Sequence, residues 1–365
     1  MAPRSATTQA ALAGLALLLV ALSAPTARGE EKIHIARAQR LARDVRPAIV
    51  RVQWRPRKGS GVVIERHAVV IDPEGWLLMA GPGPSPGGTL AATFEDGRAM
   101  GAEVWASDAR TSLTLLRVPV TQLPPLSLRE EPVRAPKEDA DAQGHLPPRV
   151  VPGFPFLMVT AEGAFARGNV RASHRVRSYE DPLLGERTVV SCLDEAALTV
   201  LATDLGAPWL DEHGRIVGLL VGADVGVPAP KSDDPDDVQM RPEVTAAYAV
   251  PVDVIRIVWP LLKVQREVPR GVLGVRVNAL SEATRQHLCP GCAGYEVTDL
   301  APGGPAQHAG IELQDVIRSI GNRVMSPEAD LSDVLLPHRP GDRIRIGVLR
   351  RGEEVELDVV LGRGS

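Results

Sequence analysis

The sequence predicts a mainly β fold divided into two or three domains, and three observations carry that expectation. The chain is 365 residues long, more than one core of usual size holds. Its 34 glycines and 32 prolines cut it into short segments, which favours strands and turns over long helices. Between those breaks lie closely spaced runs of Val, Ile and Leu, the composition of strands in a closed barrel or a sandwich. Hydrophobic residues make up 44% of the chain and aromatics only 3%, so the cores are expected to be aliphatic. A formal net charge of -4 gives no reason to expect nucleic acid or an anionic membrane as partner.

The N-terminus reads as an address. Arg4 is followed by the uncharged apolar run 10–24, by Ala27-Arg28-Gly29 with small residues where signal peptidase cuts, and by charged Glu30-Glu31-Lys32. This predicts a signal peptide over residues 1–29 and a protein that is periplasmic or secreted. An uncleaved anchor is the alternative, but the run is short of the roughly 20 residues a spanning helix needs. No later stretch is apolar enough to span.

From Lys32 to Arg46, Ile35, Ala38, Leu41, Ala42 and Val45 recur at helical steps, and Pro47 stops the helix. Strands are expected at 49–52, 62–64, 68–71, 76–79, 90–94, 102–105 and 113–118. His67 falls in a hairpin-like stretch from Glu65 to Ile71, where an exposed surface position is expected. Pro119 to Pro148 reads as a connection, and strands resume at 150–151, 156–160, 168–172, 188–192, 198–202 and 216–221. Pro228 to Pro242 carries an acidic run, Asp233-Asp234-Pro235-Asp236-Asp237, which reads as a solvated loop without calcium-loop spacing. Val254 to Leu262 closes this part as a helix, and 263–269 links it to a C-terminal domain.

The three cysteines are Cys192, Cys289 and Cys292. In an oxidising compartment Cys289-Pro-Gly-Cys292 can close a small disulfide, or the pair can stay reduced. A thiol-redox role is the sharper alternative, but the strand-motif-helix setting of such sites is missing. Only His287 lies near enough to serve as a further zinc ligand, so no metal and no cofactor is expected.

The C-terminal segment carries the most recognisable motifs. Arg270-Gly271-Val272-Leu273-Gly274-Val275 is followed by 294–306, then His308-Ala309-Gly310-Ile311, then Gln314-Asp315-Val316-Ile317 and Pro340-Gly341-Asp342. In order and spacing this resembles a PDZ domain of the HtrA family, with Gln314 in place of the usual glycine, a small departure. The resemblance implies that residues 270–365 fold as a partly open β-barrel with two helices. An extended peptide would join an exposed sheet edge there, its terminal carboxylate held by loop amides. Gly271 and Gly274 would permit close backbone approach, and Val272, Leu273, Val275, Leu331 and Leu335 would line the pocket for the last side chain.

Upstream, residues 30–262 resemble the trypsin-like double β-barrel of the same family, through Gly59-Ser60-Gly61-Val62-Val63-Ile64, Pro73-Glu74-Gly75-Trp76-Leu77-Leu78 and Ala247-Tyr248-Ala249-Val250-Pro251. The family's catalytic motifs align with Met79-Ala80-Gly81-Pro82, Ser112-Leu113-Thr114 and Thr203-Asp204-Leu205-Gly206-Ala207-Pro208. Pro82, Ser112 and Leu205 then stand where the base, the carboxylate and the nucleophile would be. Acyl transfer needs a hydroxyl activated by an oriented base, and loss of nucleophile or base costs about a million-fold in kcat. The expectation is therefore a pseudoprotease, not an enzyme. Its PDZ domain would bind C-termini or extended segments of exported proteins, with homo-oligomers possible through the N-terminal region. Two alternatives stay open: an active serine endopeptidase with a relocated triad built on His67 with Ser60, Ser191 or Cys192, and the thiol-redox protein.

Overall fold

The computed structural model describes residues 27–55, 63–81, 88–130, 152–180, 187–198, 200–226, 243–280, 294–321, 323–325 and 331–364. The first helix, α1 (Ala27–Val45), ends where Pro47 enters a single 3-10 turn, Arg46–Ala48. Pro47 fits the first turn of that element because its missing N–H would be unsatisfied there anyway.

Seven strands then form one antiparallel sheet: β1 (Ile49–Arg55), β2 (Ile64–Asp72), β3 (Trp76–Ala80), β4 (Thr89–Thr93), β5 (Ala99–Gly101), β6 (Glu103–Asp108) and β7 (Leu113–Arg117). Their order is β5-β4-β1-β2-β3-β7-β6. Strand β1 alternates as a half-buried strand should, with Val50, Val52 and Trp54 inside. Strand β2 is different. All but one of its residues from Ile64 to Ile71 are buried, Arg66 and His67 included. The expected hairpin at 65–71 is thus one continuous strand, and His67, expected at the surface, is 3% exposed.

The second body of strands is a closed barrel of β8 (Pro155–Val159), β9 (Phe165–Glu180), β10 (Arg187–Ala196), β11 (Pro208–Leu210), β12 (Ile216–Gly226) and β13 (Glu243–Pro251), in the order β10-β13-β12-β11-β8-β9. Its core is aliphatic except where Phe156 stacks on Trp209, rings 4.1 Å apart and 9° from parallel. Of the stretch 198–202, expected as a strand, residues 200 and 201 instead lead into a 3-10 turn at Ala202–Asp204. Residues 119–130 form an irregular segment, with Gln122 at φ 63°, anchored by buried Leu123 and Leu126. The rest of that expected connection and the acidic run at 233–237 lie outside the described residues.

Helix α2 (Val252–Gln265) buries Val252, Val254, Ile255, Val258 and Leu262 along one stripe and ends at Arg266, whose φ of 58° reverses the chain. Its C-terminal end is fastened to the first sheet. The indole N–H of Trp105 donates to the carbonyl of Lys263 at 3.1 Å, and the Lys263 ammonium meets Asp72 at 2.9 Å. The guanidinium of Arg266 lies 3.6 Å from the Trp105 ring centre, a cation–π contact worth about 0.5–2 kcal/mol.

The C-terminal domain comprises β14 (Gly271–Val272), β15 (Val275–Ala279), β16 (Tyr295–Leu300), α3 (Pro305–His308), β17 (Val316–Ile320), β18 (Arg323–Val324), α4 (Leu331–Leu335), β19 (Arg343–Arg350), β20 (Glu353–Val360) and β21 (Gly362–Arg363). Strands run β15-β16-β17-β19-β20, with β18 on β17, while β14 pairs with β21. Gln314 is not a small departure after all. Its φ is 70°, a left-handed conformation that a glycine adopts freely and that costs another residue roughly 1 kcal/mol. The next residue, Asp315, is 2% exposed and is held by both nitrogens of the Arg350 fork at 2.8 and 2.7 Å.

Arg270 ties this domain to the first sheet. Its guanidinium makes two parallel bonds to Asp108, Nη1 to Oδ1 at 2.8 Å and Nη2 to Oδ2 at 2.6 Å, and Thr111 donates to the same carboxylate. Burial works against ionisation of Asp108, but the Arg270 fork and the Thr111 donors outweigh it and hold the carboxyl below its ordinary range. Arg270→Ala strands a buried carboxylate, so a loss of about 3 kcal/mol is expected in urea unfolding, and replacing both partners with apolar residues should cost much less.

Candidate functional site

Two places bring the sequence's site residues together. The first is the groove of the C-terminal domain. Strand β15 is an edge strand, paired with β16 on one side only among the described residues. The loop leading into it is built by backbone bonds. Gly271 donates to His338, Leu273 accepts from Ala306 at 2.9 Å, and Gly274 accepts from Ala301 at 2.8 Å. The amides of Leu273 and Gly274 donate to no backbone carbonyl among the described residues, which leaves two N–H groups for an anion.

Both glycines are needed, for different reasons. Gly274 has φ 74°. At Gly271 a Cβ would lie 2.5 Å from Leu361 Cδ1 and 3.0 Å from the Arg339 carbonyl, so the space is taken by the domain itself rather than kept for a ligand. The expected pocket residues divide in two. Leu273 (2% exposed) and Leu335 (8%) belong to the domain core, while Val275 and Leu331 are half-buried against it, and Val272 is half-buried too.

The second place is the contact of β2 with the second barrel. Leu205 lies in that barrel's core cluster at 4% exposure. Its carbonyl accepts from the backbone N–H of His67 at 2.7 Å. The following residue, Gly206, has φ 88° and no room for a side chain, since a Cβ would fall 1.9 Å from the His67 carbonyl. His67 Nε2 meets Glu162 Oε2 at 3.1 Å, and its Nδ1 is buried without a hydrogen-bond partner among the described residues. Arg51, opposite His67 in the β1–β2 register, stands 3.9 Å from the other oxygen of Glu162. Asp204, half-buried, has its carboxyl raised by desolvation although it accepts from the Leu201 amide.

Ser112 sits 1% exposed at φ 53° just before β7, and its carbonyl accepts from Gly81 at 2.7 Å. The buried Arg66 side chain packs over Gly81, with Cδ and Nε 3.7 Å from where a Cβ would be. Pro82, Ser60, Cys289 and Cys292 lie outside the described residues, as do the side chains of Ser191 and Cys192. Nothing in the sequence around Glu162, Asp204 or Arg66 announces a side-chain role. Glu162 stands in a plain turn, Ala161-Glu162-Gly163, and only the fold brings it to His67. Among the described residues, no group of three His, Cys, Asp or Glu side chains is placed to hold a metal, and no helix is long and apolar enough to cross a membrane.

Comparison with known proteins agrees with this architecture. Residues 59–219 match the trypsin-like peptidase domain and residues 271–361 the PDZ domain. A probable periplasmic serine endoprotease, DegP-like, of Halomonas elongata is 22% identical over 294 residues, 80% of this chain and 55% of that protein. The periplasmic pH-dependent serine endoprotease DegQ of Escherichia coli is 21% identical over 305 residues, 83% of this chain and 59% of its own length. The chain thus spans somewhat over half the length of these relatives. Among solved structures, the HtrA-type protease AlgW with tripeptide superposes with TM-score 0.63 at 22% identity, covering 90% of this chain and 97% of that one. The serine endoprotease from Yersinia pestis does so with TM-score 0.55 at 17% identity, over 90% and 98%.

A trypsin-like peptidase fold followed in one chain by a PDZ domain defines a class of PDZ-bearing proteases. Within it, this chain is similar in fold to HtrA-type proteases. The expectation of a pseudoprotease that is not an enzyme is corrected here, because the relatives it matches are named serine endoproteases.

One pH dependence follows from the His67 contact. The hydrogen bond from His67 holds the Glu162 carboxyl down at about 2, against the opposing effect of burial. A carboxyl lowered in the folded state stabilises fully above its unfolded value and loses that contribution as pH falls toward the folded one. The stability difference between the native chain and Glu162→Gln, read by urea unfolding, should be constant near pH 6 and shrink from about pH 4.5 toward 2.

Proposed function

We propose that this chain is an exported HtrA-family protein whose PDZ domain captures free C-termini or extended segments of other exported proteins and offers them to the trypsin-like domain. The domain limits taken for this reading are a signal peptide at 1–29, the trypsin-like domain at 30–262, a linker at 263–269 and the PDZ domain at 270–365. The observation that carries it is the edge of β15, open among the described residues, beside a loop whose Leu273 and Gly274 amides meet no backbone acceptor there. An extended peptide adding to that edge satisfies its backbone while the amides take its carboxylate, and half-buried Val275 and Leu331 receive its last side chain. AlgW, a structural neighbour, is described with a tripeptide and a decapeptide. The relatives' names place them in the periplasm, which supports the exported location.

Isothermal titration should give saturable binding for peptides ending in a free carboxylate and an apolar residue. Amidation of the C-terminus should weaken it about ten-fold or more. Equal binding of acid and amide, or none of either, overturns the reading.

A second reading, serine endopeptidase activity in the barrels, is favoured by one observation besides the relatives' names. His67 is a buried imidazole held by a carboxylate, bonded through its backbone to the loop that bears the nucleophile in the family motif. Saturable labelling by a fluorophosphonate probe, with casein cleavage abolished in His67→Ala and retained in a PDZ-groove variant, is the expected result on this reading. Complete silence with both reagents, beside an active HtrA protease as control, removes it.

A further inference from the structure

The sheet of the C-terminal domain has two edges among the described residues. One is β15, beside the carboxylate loop. The other is β20, which pairs with β19 alone. An open edge is a row of N–H and C=O groups without partners, and proteins blunt such edges with short strands, bulges, prolines or lysines. Strand β20 has none of these. It runs eight residues, Glu353–Val360, in unbroken register with β19, and contains neither proline nor lysine.

The turn before it fixes which groups are free. Arg351 and Gly352 both have positive φ, 52° and 89°, as in a two-residue hairpin turn, so the flanking Arg350 and Glu353 exchange both backbone bonds. Alternate residues from Glu353 onward then bond to β19, and Leu361 continues the series by donating to the Asp342 carbonyl at 2.9 Å. The backbone groups of Glu354, Glu356 and Asp358 point the other way and meet no backbone partner among the described residues. Their side chains share one exposed face, while half-buried Val355 and Leu357 lie on the opposite face, packed against the domain core. With Glu353 the strand carries four acids and no base. Arg345 of β19 lies 3.4 Å from Glu356 and 3.6 Å from Asp358, and Glu354 has no cationic partner among the described residues. A second copy of β20 laid antiparallel on this edge would set acid against acid, which is destabilising, so the chain's own β20 is a poor occupant.

We propose that the outer edge of β20 takes up an extended segment of another polypeptide as an added antiparallel strand, one in which basic and apolar residues alternate. Each basic side chain stands opposite Glu354, Glu356 or Asp358, in the pairs that exchange backbone bonds. The apolar side chains fall on the other face, where they extend the cover over Val355 and Leu357. Backbone bonds supply the hold and the alternation supplies the choice. No free terminus is required, so the site is independent of capture at β15.

The test is fluorescence anisotropy of the full chain with a labelled peptide of core Lys-Val-Lys-Val-Lys, acetylated and amidated so that it offers no terminal carboxylate to the β15 loop. Saturable binding is expected, weakened about ten-fold or more by Glu354→Lys with Glu356→Lys. N-methylation of the peptide at its lysine amides, which removes the donors facing β20, should weaken it as much. Both substituted positions are exposed, so the variant should melt near the native temperature, which shows that it is folded. No binding by the native chain, or no loss on charge reversal, overturns the proposal. Equal binding of the N-methylated peptide, or of one with its lysines and valines in separate blocks, also overturns it, since charge alone would then suffice. So does a dimer in sedimentation that charge reversal dissolves while the peptide fails to bind, because the occupant would then be a second copy.

Discussion

Strand β2 is covered on both faces, and much of the molecule is arranged to make that tolerable. A strand in such a position normally carries only apolar side chains, because each polar group taken out of water needs a partner to offset its lost hydration. Here the strand places Arg66 and His67 in succession at 4% and 3% exposure. Glu162 reaches in from a turn of the second barrel to the imidazole, and the loop carrying Leu205 and Gly206 is drawn against the strand's backbone. Removing the side chain at Gly206 is what lets the two chains approach. At this point of the barrel contact, backbone and polar groups meet directly.

A second constraint acts at the other end of the first sheet. Trp105 is held by Lys263 and Arg266 of the helix that leaves the second barrel, and Asp108, three residues on, is held by Arg270 at the start of the PDZ domain. The segment between barrel and PDZ domain, which reads in sequence as a plain linker, is fastened twice within a few residues. The pairs are partly buried and charge-assisted, which makes them directional in a way that apolar contact is not.

The fold was largely legible in the sequence because turn residues and apolar runs are local signals. The Gly-x-x-Gly loop at Gly271 and Gly274, the strands β3, β4, β6 and β7 and the helix after Pro251 all declare themselves within a few residues. What was not legible depends on contacts distant in the chain. His67 looked like a surface histidine because Arg66 and Glu65 flank it, and only the second barrel buries it. Strand β9 was expected at 168–172 and runs to sixteen residues, since its basic stretch has no apolar alternation to announce it. Leu273 and Leu335 looked like pocket residues because sequence spacing does not distinguish the wall of a groove from the core behind it. The catalytic question turned on relatives rather than on motif alignment.

The Arg270 fork has a consequence for how far a captured chain can wander. A groove on a swinging tether would let a bound segment sweep a large volume, diluting whatever lies further along it. With the groove's first residue fastened to the first sheet, a terminus bound as proposed would be held at a fixed point of attachment. The remaining polypeptide is then a leash whose length alone sets its effective concentration at any other surface of the molecule. In the capture proposed above, short leashes reach nothing and long ones spread thin, so the length between a partner's end and its interior segment would decide which segment is presented.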